Sequence, residues 1–177
     1  MGALRRGLAS AQRAEAGARI AARIAASAEF ARAPRVVLYA ALADEPPLTA
    51  LADRAAEAGK LLLWPRVTAA GDVEVAPADA RDLVADAAGV LAPPLARAAV
   101  SLAPGDLVIA PGVAFGRDGA RLGRGGGHYD RLLARAPSCA SIGAAFDFQL
   151  VPAIPAQPHD RRVDIVATPN EFWRAAK

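Results

Sequence analysis

Between Arg121 and Asp130 the chain runs Arg121–Leu122–Gly123–Arg124–Gly125–Gly126–Gly127–His128–Tyr129–Asp130, and these residue types suit an anion cradle. Seven glycines stand from Gly112 to Gly127. Without Cβ atoms in the way, successive backbone N–H groups can converge on one anion. A helix predicted from about Tyr129 to Ala136 turns the positive end of its dipole toward the same point. Arg121 and Arg124 can add forked, charge-assisted hydrogen bonds to phosphate oxygens. Asp130, one turn into that helix, is placed to meet a divalent cation bridging those phosphates. The chemistry this predicts is the binding of a polyphosphate, ATP with magnesium.

Two better-known phosphate loops are excluded by spelling. A Walker loop ends in Gly-Lys-Ser/Thr, and no lysine lies here; the dinucleotide fingerprint would need glycine where His128 stands. A flexible surface loop is the competing reading, and the flanking arginines, Asp130 and the strand–loop–helix setting argue against it.

The elements that position this loop follow from pattern. A strand over Asp106–Ala110 leads into it, and the glycine-rich loop itself is predicted over Pro111–Gly127. Ala3 to about Ala28 reads as one amphipathic helix, with Leu4, Leu8, Ala11, Ile20 and Ile24 as its apolar stripe and Arg5, Arg13, Arg19 and Arg23 beside it. Arg35–Ala40 and Lys60–Trp64 read as buried strands, the second stopped by Pro65. A helix over Leu48–Ala58 ends at Gly59, a residue suited to a left-handed cap. Asp72–Ala76 is predicted as an edge strand, Asp79–Ala88 as a short helix, and Ser141–Phe146 and Val163–Ala167 as strands. Asn170 is expected to cap a last helix through Ala176. Strand runs without alternation, separated by helices, imply a largely parallel sheet covered on both faces.

The 177 residues fit one domain over 1–177, large enough for a real core. Hydrophobic residues make up 54% of the chain, yet no apolar run approaches the roughly 20 needed to span a bilayer. The arginine-rich start lacks an apolar segment and is not a secretory signal. Cys139 is the single cysteine, which excludes an internal disulfide and suits a reducing, cytoplasmic setting as a small buried filler. A net charge of +3 favours an anionic substrate but is too small to indicate nucleic acid. Aromatics, at 5%, do not interleave with basic residues as a single-strand surface requires.

Pro111–Gly112–Val113–Ala114–Phe115 followed by Arg121–Asp130 resembles the signature of the 5-formyltetrahydrofolate cyclo-ligases. A second matching patch is Gln149–Leu150–Val151–Pro152, Pro155, His159–Asp160, Val163–Asp164 and Thr168; weaker likeness lies at Leu4–Arg5, Gly59–Lys60 and Pro65–Arg66. The resemblance covers nearly the whole chain and is most specific in its last seventy or so residues. It implies a three-layer α/β sandwich of cyclo-ligase or CoA-transferase-like architecture, with a mostly parallel central sheet flanked by helices. The implied reaction is ATP- and Mg²⁺-dependent conversion of 5-formyltetrahydrofolate to 5,10-methenyltetrahydrofolate. The formyl oxygen attacks the γ-phosphate, N10 closes the ring, and phosphate leaves.

By the same resemblance, Arg5 and the segment Arg121, Leu122, Gly123, Arg124, Gly125, Gly126, Gly127, His128 and Tyr129 bind ATP. Glu45, with Arg124 to His128, borders the folate. Asp130 and Asp164 hold Mg²⁺, and Arg124 and Asp130 carry catalysis. His159–Asp160 can be read as a dyad or a ligand pair, but neighbours on an extended chain face opposite ways, and a structural role is expected. The chain departs from the family pattern at Met1, Ala92, Gly116 and Gly126, where lysine, glutamate, aspartate and lysine are common. A relative acting on another N-formyl compound, or a non-catalytic nucleotide or folate binder, is the alternative. The expected partners are small molecules, reduced folate and ATP, with no nucleic acid and no membrane, and the expected state is a cytoplasmic monomer.

Overall fold

A computed structural model describes residues 1–175. Five parallel strands form the centre of a seven-stranded sheet: β1 (Arg35–Val37), β2 (Leu61–Val67), β6 (Leu107–Ala110), β9 (Ala140–Ala144) and β11 (Ile165–Ala167). The spatial order is β12-β11-β9-β6-β1-β2-β3, with β3 (Val73–Pro77) and β12 (Phe172–Arg174) added antiparallel at the two edges.

Alternate residues of each central strand enter different cores, as a pleated strand demands. Val36, Leu62, Leu107, Ile109, Ile142 and Ile165 pack with Ile20 and Ile24 of α2 (Ser10–Ala25) and Leu51 of α4 (Thr49–Glu57). Val37, Leu63, Val108 and Val166 pack on the other side with Leu132 and Leu133 of α5 (His128–Arg135). Helices on both faces make the three layers that the apolar runs predict. Gly59 takes the left-handed conformation expected after α4, with φ 67°. No helix among the described residues is long and apolar enough to cross a membrane.

Five expectations are corrected. The N-terminal helix is broken into α1 (Gly2–Gly7), α2 and α3 (Ala28–Arg32). Leu8 and Ala9 are extended, at ψ 134° and 152°, and the Gln12 side chain accepts the Ala9 N–H at 3.0 Å to start the next helix. The break reverses the predicted stripe: Leu4 is 58% exposed, while Arg5 is 1% exposed. Burial of an ion-paired guanidinium has outweighed burial of a leucine there.

Pro65 does not stop β2 but lies within it, opposite Val75. The Val75 carbonyl accepts from Val100 N, on the far side from β2, so this pair exchanges no ladder bonds, and proline's missing N–H is tolerated. The expected helix over Asp79–Ala88 is a single 3₁₀ turn, Ala80–Asp82, followed by a hairpin of β4 (Val84–Ala85) and β5 (Leu91–Ala92). Its turn is stitched by Asp86 Oδ1, which accepts from Ala88 N and Val90 N, and by Gly89 at φ 77°.

The loop Pro111–Gly127 contains β7 (Ala114–Gly116) and β8 (Arg121–Leu122), an antiparallel pair turned by Asp118–Gly119. With β10 (Leu150–Val151) they make a small second sheet. Finally, the chain after Asn170 forms β12 rather than a helix: Phe172–Trp173 suits a pleated surface, and Asn170 bonds Asp147 through both its N–H and its side-chain amide. Ala176, the expected end of that helix, lies outside the described residues.

Candidate functional site

At the C-terminal ends of β1, β2 and β6 the sheet opens into a cavity of about 920 Å³. That end of an open parallel sheet is where strands hand the chain to loops, and it is the usual ligand position. The entire Arg121–Asp130 segment lines it, facing Tyr39, Glu45, Arg66 and Thr68, with the β4–β5 turn at Asp86–Val90 as a further wall.

The loop's shape is set residue by residue. The Phe115 ring stands where a Cβ on Gly112 or Gly143 would sit, at 2.7 and 2.3 Å, so the loop folds back onto the sheet only because both are glycine. Gly127 precedes α5 in the left-handed region at φ 63°, and the first residues of the helix, His128 to Asp130, line the cavity. Gly125, at φ 94°, has open space around it, as a residue beside a ligand would.

Each guanidinium that the sequence aims at phosphate has a carboxylate partner. Arg121 Nη2 donates to Asp130 Oδ1 at 2.8 Å, and its guanidinium lies 5.7 Å from the centre of the Tyr129 ring. Asp130 Oδ1 also accepts from Arg161 N at 3.1 Å. Arg124 donates to Asp44 Oδ1 through Nη2 and to Glu45 Oε1 through Nε at 3.3 Å. Burial works against the charge on Arg124, but these two carboxylates more than offset it and raise its pKa.

Behind them lies Arg5, which does not reach the cavity wall. Its Nε donates to the Asp44 carbonyl at 2.9 Å. Its Nη2 sits 3.0 Å from Asp44 Oδ1 and 3.6 Å from Glu45 Oε1, ion-pair contacts without hydrogen-bond alignment. Two arginines therefore share two carboxylates, and the four formal charges cancel. Glu45 is 7% exposed, and its second oxygen accepts Leu42 N at 3.0 Å. A carboxylate has about four lone-pair positions, so Glu45 retains acceptor capacity toward the cavity.

Two tyrosines flank Glu45. Tyr39 donates to the Pro46 carbonyl at 2.8 Å, while the Tyr129 hydroxyl has no hydrogen-bond partner among the described residues. Burial, reinforced by the nearby negative charge of Glu45, pushes both phenols above their ordinary pKa, so they stay neutral donors. Thr68 Oγ1 and Arg121 Nε are likewise buried without a hydrogen-bond partner among the described residues. Such atoms on a cavity wall mark places where a polar ligand would be held.

Not every residue singled out in the sequence comes to this cavity. Asp164 precedes β11 and lies toward the opposite end of the sheet, where its Oδ2 accepts Ser141 N at 3.0 Å and Ser141 Oγ at 2.8 Å. No group of three or more metal-ligating side chains occurs among the described residues. Of the two carboxylates that the sequence offered to magnesium, Asp130 lines the cavity and Asp164 does not. His159 and Asp160 stand at the cavity mouth 3.6 Å apart, but Asp160 chiefly closes its own turn, accepting Gln157 N at 2.7 Å. Cys139 is buried near Ala103, and burial pushes its thiol pKa up.

The sequence reading missed Asp44, Tyr39, Thr68 and Gln149 as parts of the site. Asp44 and Glu45 sit in the Asp-Glu-Pro-Pro turn, so the acidic turn itself was a signal. Gln149 stood in the second matching patch, but its amide donors reach residues 36 and 37 positions away, which nothing adjacent announces.

A model of the 5-formyltetrahydrofolate cyclo-ligase family matches residues 1–169. Among solved structures, the NMR structure of the 5,10-methenyltetrahydrofolate synthetase of Aquifex aeolicus is similar with a TM-score of 0.84 and 28% identity, over 99% of this chain and 89% of that one. The 5,10-methenyltetrahydrofolate synthetase of Mycoplasma pneumoniae gives a TM-score of 0.75 at 19% identity, over 95% and 93% of the two chains, a likeness of fold. No curated protein matches by sequence.

Proposed function

We propose that this chain, which belongs to the 5-formyltetrahydrofolate cyclo-ligase family, converts 5-formyltetrahydrofolate to 5,10-methenyltetrahydrofolate with ATP as co-substrate, releasing ADP and phosphate. The observation that carries this reading is the position of the glycine-rich segment. It lines one wall of a 920 Å³ cavity whose other wall presents Glu45 and the neutral phenol of Tyr39. One wall suits a polyphosphate, the other a heterocycle rich in N–H groups.

In the reaction the formyl oxygen of the substrate bonds to the γ-phosphorus, and the bond from that phosphorus to the bridging oxygen breaks, releasing ADP. N10 then bonds to the formyl carbon, the C–O bond breaks with its electrons leaving on phosphate, and the N10 proton is lost to that phosphate or to water. Such chemistry asks the protein for position and charge neutralisation rather than for a nucleophile. Glu45 would accept the amino and ring N–H groups of the pterin, holding the formyl group toward the loop. Arg124, its side chain 46% exposed, can turn from Asp44 onto an arriving phosphate while Arg5 keeps the two carboxylates paired behind it. Backbone N–H groups at the start of α5 would hold the phosphates, and Asp130 would hold magnesium. The ion's contribution is neutralisation of the phosphate charge.

The reading extends to a cytoplasmic monomer acting on small molecules; one buried free cysteine suits a reducing compartment. The test is incubation with 5-formyltetrahydrofolate, ATP and Mg²⁺, following the methenyl chromophore. Turnover that is lost in Asp130→Ala supports the reading. ATP hydrolysis without methenyl product would transfer it to another N-formyl substrate, and binding without turnover to a non-catalytic homologue.

A further inference from the structure

We infer that Gln149 is a positioning residue for the nucleotide end of this cavity, acting through the Gly112 and Val113 carbonyls; this rests on the reading that the cavity takes ATP. The Gln149 side chain is 0% exposed. Its amide nitrogen donates to Gly112 O at 2.8 Å and to Val113 O at 3.1 Å, and its amide oxygen accepts Phe146 N at 2.8 Å. The residue stands on a 3₁₀ turn, Asp147–Gln149, that leads directly into β10 beside β7.

The two carbonyls belong to consecutive residues just after β6, where the chain leaves the sheet to form the cavity floor at Pro111 and Gly112. A carbonyl oxygen carries a partial negative charge. Two of them facing a polyphosphate would repel it, whereas N–H groups attract it. A backbone-built anion site therefore needs these oxygens turned away and held. One uncharged nitrogen bearing two N–H groups can hold both without adding a buried charge beside Arg5. The peptide between them is fixed from its other end too, because Val113 N donates to Leu122 O at 2.7 Å. Arg5 Nη1, at 3.5 Å from Gly112 O, is a long second contact that cannot replace the first.

The test measures Mg–ATP and 5-formyltetrahydrofolate affinities of the whole protein as wild type, Gln149→Leu and Gln149→Glu, with a thermal transition recorded for each. Gln149→Leu keeps the volume and removes both donors. It is expected to weaken ATP about tenfold or more, as buried carbonyls lose their donors, to change folate affinity less than about twofold, and to raise KM for ATP more than it lowers kcat. Gln149→Glu, relative to wild type, is expected to regain ATP affinity as pH falls toward about 5.5, because a protonated buried acid can donate one hydrogen bond. Folded variants with wild-type ATP affinity would overturn the inference. So would equal loss of both ligands, or a Glu variant with no pH-dependent recovery. Loss of the thermal transition in both variants would do so as well, since the residue would then be a fold determinant. A wild-type protein that binds no ATP would instead sink the reading of the cavity, and this inference with it.

Discussion

Arg5 and Asp44 meet twice beneath the cavity: the guanidinium lies 3.0 Å from the carboxylate, and its Nε donates to the backbone carbonyl of the same residue at 2.9 Å. The contact fastens the first helix to the acidic turn that carries Glu45. Removing the guanidinium would leave Asp44 and Glu45 side by side with only Arg124, itself half exposed, to balance them. Arg5→Ala is expected to destabilise the fold by about 3–5 kcal/mol, the usual cost of breaking a buried pair from one side. Urea denaturation measures it. A loss below about 1 kcal/mol would show that α1 is merely draped over the site.

Gly17 gives a prediction in which two effects of opposite sign compete. Alanine in place of a mid-helix glycine ordinarily stabilises by about 1 kcal/mol. Here a Cβ would stand 2.1 Å from the Pro47 carbonyl oxygen and 2.9 Å from its ring. Backbone on both sides leaves little room to give, and overpacking costs about 1–3 kcal/mol. Gly17→Ala is therefore expected to lower the melting temperature and to weaken folate binding, because α2 would push the 44–47 turn and Glu45 with it. A higher melting temperature would contradict the close approach.

The parallel sheet and its two cores were legible in the sequence because strands buried on both faces leave unbroken apolar runs such as Leu107–Ala110. The glycine cradle was legible because its residues are contiguous. What escaped depends on distant partners. Arg5 was read as a charge beside the helix stripe and, by resemblance, as an ATP ligand, because nothing near it in sequence announces Asp44, and Leu4 looked buried because helical periodicity assumes an unbroken helix. Pro65 looked like a terminator because the absence of a ladder bond opposite Val75 is a property of register. Asp164 shares a patch with cavity residues in sequence, but its strand carries it toward the sheet's other end, against Ser141.

Asp130 accepts from both Arg121 Nη2 and Arg161 N, so its replacement has two separable consequences. Asp130→Asn keeps an oxygen for Arg161 but loses the charge that holds Arg121 and would hold magnesium. Turnover is expected to fall at least a hundredfold and half-saturating Mg²⁺ to rise. The weakened Arg121 contact would cost about 1.5–3 kcal/mol in stability, the worth of a hydrogen bond to a charged group. Magnesium titration at saturating ATP and folate separates the two effects. Unchanged magnesium dependence would remove Asp130 from the metal site.

Glu29 supplies a pH dependence outside the cavity. Burial favours its neutral form, but the hydrogen bond from Arg174 at 2.7 Å, together with the charges of Arg174 and Arg32, outweighs that and holds its pKa below the ordinary 4.5. A depressed carboxyl stabilises the fold fully above its unfolded pKa, and that contribution is lost as pH falls through the lower, folded value. Stability of the wild type minus that of Glu29→Gln should be positive and flat above about pH 5.5, then shrink through the acid range. Arg174→Ala should move the wild-type acid limb to higher pH, because Glu29 would lose its main partner. Unfolding curves of the three proteins between neutrality and about pH 3 decide it. A difference that grows as pH falls would mean that burial, not Arg174, sets the charge of Glu29.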